Sequence, residues 1–143
     1  METPRHIRYA EVVTSVGISS AVLGELLAHA AAPEHEVCGL LFGTGERISA
    51  TMRTRNVAQD PVRQFEIDPS ALFKAMRQER AGGPALIGYY HSHPNGQAEP
   101  SGTDAAMAPR DGRLWLIVAQ GEVRAWRATP VGLEEVRLLV AER

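Results

Sequence analysis

The sequence predicts an α+β domain in which a central mixed β-sheet is flanked by helices. Three observations predict it. Two segments carry apolar residues at helical spacing and open with capping residues, so they read as amphipathic helices. Short apolar runs bounded by glycine or proline lie between and after them and read as strands. The chain has 143 residues, 44% hydrophobic and 22% charged, which suits one globular domain with a buried core.

The first helix is expected from Ser19 or Ser20 to about Ala31, where Val22, Leu23, Leu26, Leu27 and Ala30 share one side. A serine caps its start and Pro33 lies beyond its end. Val37 to Phe42 is a buried strand closed by Gly43 and Gly45, leading to a second strand from about Arg47 to Val57. Phe65-Glu66-Ile67 is a further short strand candidate. In the second helix Asp68 is the cap, Pro69 takes the first position, and Gly82-Gly83-Pro84 ends it. Ala85 to Tyr90 reads as a central strand that delivers His91-Ser92-His93-Pro94. A loop follows, then a short helix after Ser101. Leu114 to Ala119, Glu122 to Arg127 and Leu133 to Val140 are closing strands, with Gln120-Gly121 as a tight hairpin turn. No repeat or linker divides residues 1–143, so they form one domain.

The formal net charge of -2 argues against a nucleic-acid partner gripped by a basic surface. Arg53 and Arg55 read as a solvated strand face. The lone cysteine, Cys38, allows neither an internal disulfide nor a multi-thiolate metal site, and it reads as a small buried strand residue. Met1 to His6 begin no apolar signal segment, and no stretch approaches the roughly 20 apolar residues of a membrane span. The expectation is a cytoplasmic protein without a membrane partner.

The chemistry concentrates in one stretch. Residues two apart on a strand share a face, so His91 and His93 can converge on one metal ion while Ser92 points away. Asp104 is the candidate third ligand, eleven positions after His93 across a loop that can fold back. Two imidazoles and one carboxylate leave a coordination position open for water, as catalytic zinc sites require. Ser101-Gly102-Thr103-Asp104 also reads as a capping box with aspartate in the glutamate position, which needs no metal. The two readings overlap, because a helix start holds a first-turn side chain in a fixed direction.

His91-Ser92-His93-Pro94 followed by Pro100-Ser101-Gly102-Thr103-Asp104 resembles the JAMM signature of the MPN-domain metalloproteases. Glu36-Val37-Cys38-Gly39-Leu40-Leu41-Phe42-Gly43 resembles the family's upstream glutamate segment. Phe65-Glu66-Ile67-Asp68-Pro69 and Gly88-Tyr89-Tyr90 resemble its compact bacterial members. The resemblance spans roughly Pro33 to Ala119 and implies a layered α/β architecture like that of cytidine deaminases. It implies that His91, His93 and Asp104 hold Zn2+, that Glu36 is the general acid/base, and that Ser101 donates to the oxyanion. Glu34 competes with Glu36 by position, two residues away on a similar face. His35-Glu36 fails the H-E-x-x-H helix motif, because the fifth position is Gly39. His6, His29 and His35 then read as surface histidines.

The resemblance also implies a substrate class. The compact relatives act on ubiquitin-like or sulfur-carrier proteins with a Gly-Gly tail, removing a C-terminal residue or a conjugate. The chain has little room for the insertions with which larger members hold ubiquitin. Three alternatives accompany this reading. Some MPN domains are scaffolds that bind protein partners without metal. A zinc nucleoside deaminase needs H-x-E and P-C-x-x-C, which a single cysteine cannot supply. A histidine and carboxylate set also accepts manganese, iron or cobalt in place of zinc.

Overall fold

A computed structural model of the chain describes residues 15–31 and 34–141. Pro33 and the Met1–His6 stretch lie outside these residues. The described elements are β1 (Ser15–Ser19), α1 (Ser20–Ala30), β2 (Cys38–Thr44), β3 (Arg47–Thr54), α2 (Pro69–Arg80), β4 (Leu86–Ser92), α3 (Gly102–Met107), β5 (Leu114–Ala119), β6 (Glu122–Thr129) and β7 (Gly132–Ala141). The expected α+β architecture is present, with a mixed sheet and helices on its two faces.

Both long helices start where the sequence places them. The Ser19 side chain accepts from the Val22 amide and caps α1, while Asp68 accepts from Ser70 and caps α2 with Pro69 behind it. The turn between β5 and β6 has positive φ at both Gln120 (52°) and Gly121 (79°), the mirror-image geometry that suits twisted hairpin strands.

Three elements differ from the sequence reading. Ser15–Ser19 is a strand, although five residues before a helix cap carry too little pattern to announce one. Phe65–Ile67 is not a strand: only Ile67 bridges, antiparallel to Asn56. β4 runs on through His91 and Ser92, so the first histidine sits inside the ladder and not after it.

The strands close into a barrel in the order β1-β3-β2-β4-β5-β6-β7. Closure rests on two parallel pairings by β1, five residue pairs with β7 and two with β3. Because the β1–β3 contact is that short, α1 covers the opening and buries Val22 and Leu26 against Ile18, Leu41, Tyr90 and Leu116. Each such side chain contributes about 1.5–3 kcal/mol of burial. The opposite face of β2, β4 and β5 packs Leu40, Tyr89 and Trp115 against Phe65 and the Ala75 side of α2. Alternation along β4 therefore sends Tyr90 toward α1 and His91 toward the α2 face. The hydroxyl of Tyr90 pairs with Nδ1 of His29 at 2.7 Å, so His29 is a half-buried tie between α1 and β4 and not a surface histidine. His35 is exposed as expected. No helix among the described residues is long and apolar enough to cross a membrane.

Candidate metal centre

His91 is fully buried at the end of the central strand, and its ring lies flat on Phe65 with centroids 4.1 Å apart and planes 15° from parallel. Trp115 meets its edge. The neighbouring Ser92 points the other way, where its Oγ accepts from the Val37 amide at 2.9 Å. His93 follows on the His91 side, its amide still donating to Val118 on β5 at 2.8 Å.

The loop after His93 is folded back by specific contacts. Nδ1 of His93 bonds the Gln97 carbonyl at 2.7 Å, the Gln120 side chain donates to Gly96, and the Trp126 indole donates to Ala98. Ala98 itself is buried against Ile117 and Ala119. This return path delivers Ser101 and α3 to the histidines. Ser101 caps α3 by accepting from the Asp104 amide at 3.0 Å, and Asp104 Oδ2 accepts from the Ser101 amide at 3.0 Å. The capping box is therefore real, and the same Oδ2 lies 3.1 Å from His91 Nε2 and 3.0 Å from His93 Nε2. One carboxylate oxygen closes the helix start and faces both imidazoles.

These three residues form a cluster whose candidate ligand atoms all lie within 4.8 Å of one another. The bond to Gln97 places the proton of a neutral His93 on Nδ1, so its Nε2 presents a lone pair to the Asp104 carboxylate. The His91 and His93 Nε2 atoms also face each other at 3.2 Å. His91 Nδ1 has no partner among the described residues, and with the proton on that atom the two Nε2 lone pairs and the carboxylate oxygen fit a cation between them. Ligands at about 2.0–2.2 Å around tetrahedral zinc stand roughly 3.3 Å apart, close to the spacing present here.

The electrostatics match. Burial pushes the His91 pKa down, against the hydrogen bond and charge of Asp104. Burial also opposes protonation of His93, but its bonds to Asp104 and Gln97 outweigh it and raise the pKa. For Asp104 burial would raise the pKa, yet the two histidine bonds hold the carboxyl well below the usual range. Asp104 is thus held as an anion, the form a metal needs.

Glu36 precedes β2. Cys38 pairs with His91 and Ser92 donates to the Val37 carbonyl, so the antiparallel register sets Glu36 across from His93. It is 5% exposed, and its Oε1 has no hydrogen-bond partner among the described residues. Burial raises its pKa to about 7, against the charge of His93 and with that of Asp104. Glu34 is exposed and lines a cavity of about 620 Å³ whose wall also includes Ser92, His93 and Pro94. The two glutamates thus differ in burial, Glu36 enclosed and Glu34 exposed.

The pattern of a family described as prokaryotic homologs of the JAB domain matches residues 19–129, a span holding Glu36, His91, His93, Ser101 and Asp104. The chain belongs to this family. It is 36% identical over 107 residues to a desampylase of Pyrococcus furiosus, covering 73% of this chain and 76% of that one. It is 37% identical over 109 residues to a probable TtuB-protein conjugate cleaving protease of Thermus thermophilus, covering 76% of this chain and 70% of that one. A solution structure of a Desulfitobacterium hafniense protein superposes with a TM-score of 0.76 at 28% identity, covering 90% of this chain and 94% of that one.

Two contributors to this JAB-domain centre escaped the sequence reading. Phe65 stacks on a histidine 26 positions away, a contact that neither its place in a strand candidate nor its place in the segment resembling the compact bacterial members discloses. Gln97 fixes the His93 tautomer through its backbone carbonyl, which carries no sequence signal at all.

Proposed function

We propose that this chain is a zinc metallopeptidase that hydrolyses a peptide or isopeptide bond after the C-terminal Gly-Gly tail of a ubiquitin-like or sulfur-carrier protein. The single observation that carries it is the convergence of two imidazoles and a capping carboxylate on one point, with a buried, unpartnered glutamate across the ladder. The names of the Pyrococcus and Thermus relatives support the conjugate class, and the absence of long insertions around the site supports a slender tail as substrate.

His91, His93 and Asp104 hold the ion through Nε2, Nε2 and a carboxylate oxygen. Zinc held there supplies Lewis acidity, which acidifies water to a pKa of about 7 and polarises a carbonyl. Glu36 takes the proton of the attacking water on a carboxylate oxygen and later delivers it to the leaving amine. Its raised pKa suits that double duty, since a group poised near neutral pH both accepts and releases a proton. Ser101 uses its hydroxyl lone pair for the Asp104 amide and keeps its proton to donate to the oxyanion. Phe65, Ile67, Leu72, Met107 and Trp115 line an apolar groove of about 250 Å³, and Phe65 is also the ring that stacks on His91. A narrow approach to the centre would suit two residues without side chains. The buried, free Cys38 suits a reducing, cytoplasmic setting.

The test is direct. Zinc-loaded protein is incubated with carrier–cysteine adducts and with carrier–lysine conjugates. Release of the carrier with a free Gly-Gly end is expected from at least one. No cleavage of either, with zinc confirmed in the sample, rules out this substrate class.

A further inference from the structure

Asn56 stands just past the end of β3 and takes no part in the chemistry above. Its carboxamide nevertheless makes five hydrogen bonds, all to backbone. Nδ2 donates to the carbonyls of Glu36 at 2.8 Å, Gln64 at 2.9 Å and Pro61 at 3.4 Å. Oδ1 accepts from the amides of Ala58 and Glu66, both at 3.0 Å. Around it the Glu36 amide donates to Pro61 at 2.7 Å and the Val57 amide donates to Glu66 at 3.0 Å. The segment between β3 and α2 has no strand or helix of its own, so it wraps on this one side chain.

Both ends of the wrap touch the metal centre. One is the backbone of Glu36, which lies before the first residue of β2 and outside the regular ladder. The other is Phe65, next to the Glu66 amide and stacked on His91. Only a carboxamide can serve both sides at once. Aspartate of the same shape accepts but cannot donate, and an apolar side chain does neither. The network is half-buried, and with every group of the carboxamide satisfied it favours a single arrangement of its members.

We infer that Asn56 is the positioning residue of the site: through one side chain it sets the backbone of Glu36 opposite His93 and holds the segment that keeps Phe65 on His91. It touches no reacting atom. The consequence for turnover rests on the role proposed above for Glu36, whereas the consequence for backbone order does not.

Zinc-loaded wild type, Asn56→Asp and Asn56→Ala are compared in three measurements. These are residue-resolved amide hydrogen exchange, zinc content, and kcat and KM on a ubiquitin-fold carrier joined through its Gly-Gly end to a lysine peptide. Asn56→Asp keeps the acceptor for Ala58 and Glu66 and loses the donor to the carbonyls of Glu36, Pro61 and Gln64. In this variant the Glu36 amide donates to a Pro61 carbonyl that Asn56 no longer holds, and it should exchange about tenfold faster or more, with the Glu66 amide little changed; in Asn56→Ala both should accelerate. For Asn56→Asp kcat should fall by about 10²-fold, as misplacement of a reacting group predicts, with KM and one zinc per chain retained. Wild-type Glu36 exchange in Asn56→Asp overturns the inference. So does an unchanged kcat, or a joint loss of kcat, KM and zinc. Unfolding of both variants also overturns it, because Asn56 would then serve folding alone. If wild type cleaves no carrier, the functional reading fails on its own, and the exchange of Glu36 in Asn56→Asp still decides the positioning role.

Discussion

The β2–β4 register, carried two residues past the Cys38–His91 pair that ends the ladder, sets Glu36 opposite His93. An antiparallel register thus sets a carboxylate against a ligand cluster from a different strand. Because Glu36 is buried with an unpartnered oxygen, it prefers to be neutral until a cation arrives beside it. Metal binding and the charge of Glu36 are therefore linked.

That link sets the pH dependence of the metal-free protein. Burial raises the Glu36 pKa from 4.5 to about 7 in the folded chain. The folded state then binds the proton more tightly than the unfolded state, so this group's contribution is most favourable below the unfolded pKa and declines as pH rises toward 7. A gap of that size is worth at most about 3 kcal/mol. Glu36→Gln should therefore stabilise chelator-treated protein at pH 8 by about 1–3 kcal/mol relative to wild type, and by little at pH 4. Urea unfolding at the two pH values measures it. An equal effect at both would mean that Glu36 is not held as a buried acid.

Ser101 carries two separable duties. Ser101→Ala removes the acceptor for the Asp104 amide and should cost about 1 kcal/mol of stability, the usual value of a helix cap. It also removes the hydroxyl donor and should lower kcat by about 10²–10³-fold while zinc stays bound. Ser101→Thr keeps both groups and should restore most of each. Thermal melts and steady-state kinetics read the two effects independently, and a Thr variant as impaired as Ala in kcat would remove Ser101 from the oxyanion role.

Removal of a ligand should be decisive for metal. His91→Ala and Asp104→Ala should each reduce zinc from one per chain to well below stoichiometric on metal analysis. Asp104→Ala also deletes one arm of the capping box, so it should melt at a lower temperature than His91→Gln at matched metal content. Full zinc retention by either alanine variant would place the ion elsewhere.

Gly39 tests the packing beneath the site. A Cβ there would collide with the ring of Tyr90 and with the backbone carbonyl of Met52. The carbonyl belongs to the β2–β3 ladder and cannot step aside as a flexible side chain can. Gly39→Ala should cost about 1–3 kcal/mol or more, read as a lower urea midpoint. A wild-type midpoint would mean that β2 and β4 are less tightly apposed than described.

Much of this was legible in the sequence because it is written locally. The caps at Ser19 and Asp68, the Pro69 start and the Gln120-Gly121 turn are short-range signals, and each element begins where its signal stands. The His91, His93 and Asp104 cluster was legible for a similar reason: two-residue alternation aligns His91 with His93, and a helix cap aims Asp104. What local patterns do not carry is long-range pairing. β1 pairs with β7 across more than 100 residues, and neither segment encodes the other. Phe65-Glu66-Ile67 has strand composition, but the Glu66 amide is taken by the Asn56 side chain, so no ladder grows there. In the sequence the Cys38-Gly39-Leu40-Leu41 context that follows Glu36 favours it over Glu34, whereas its burial is a property of the folded sheet.

The most direct measurement is kcat for zinc-loaded Glu36→Gln beside wild type, with metal content determined on the same samples. One zinc per chain in both, a KM close to wild type and a kcat lower by about 10²–10⁴-fold are the expected results for loss of a general base. Turnover of Glu36→Gln at the wild-type rate would contradict the assignment of Glu36 and the mechanism built on it.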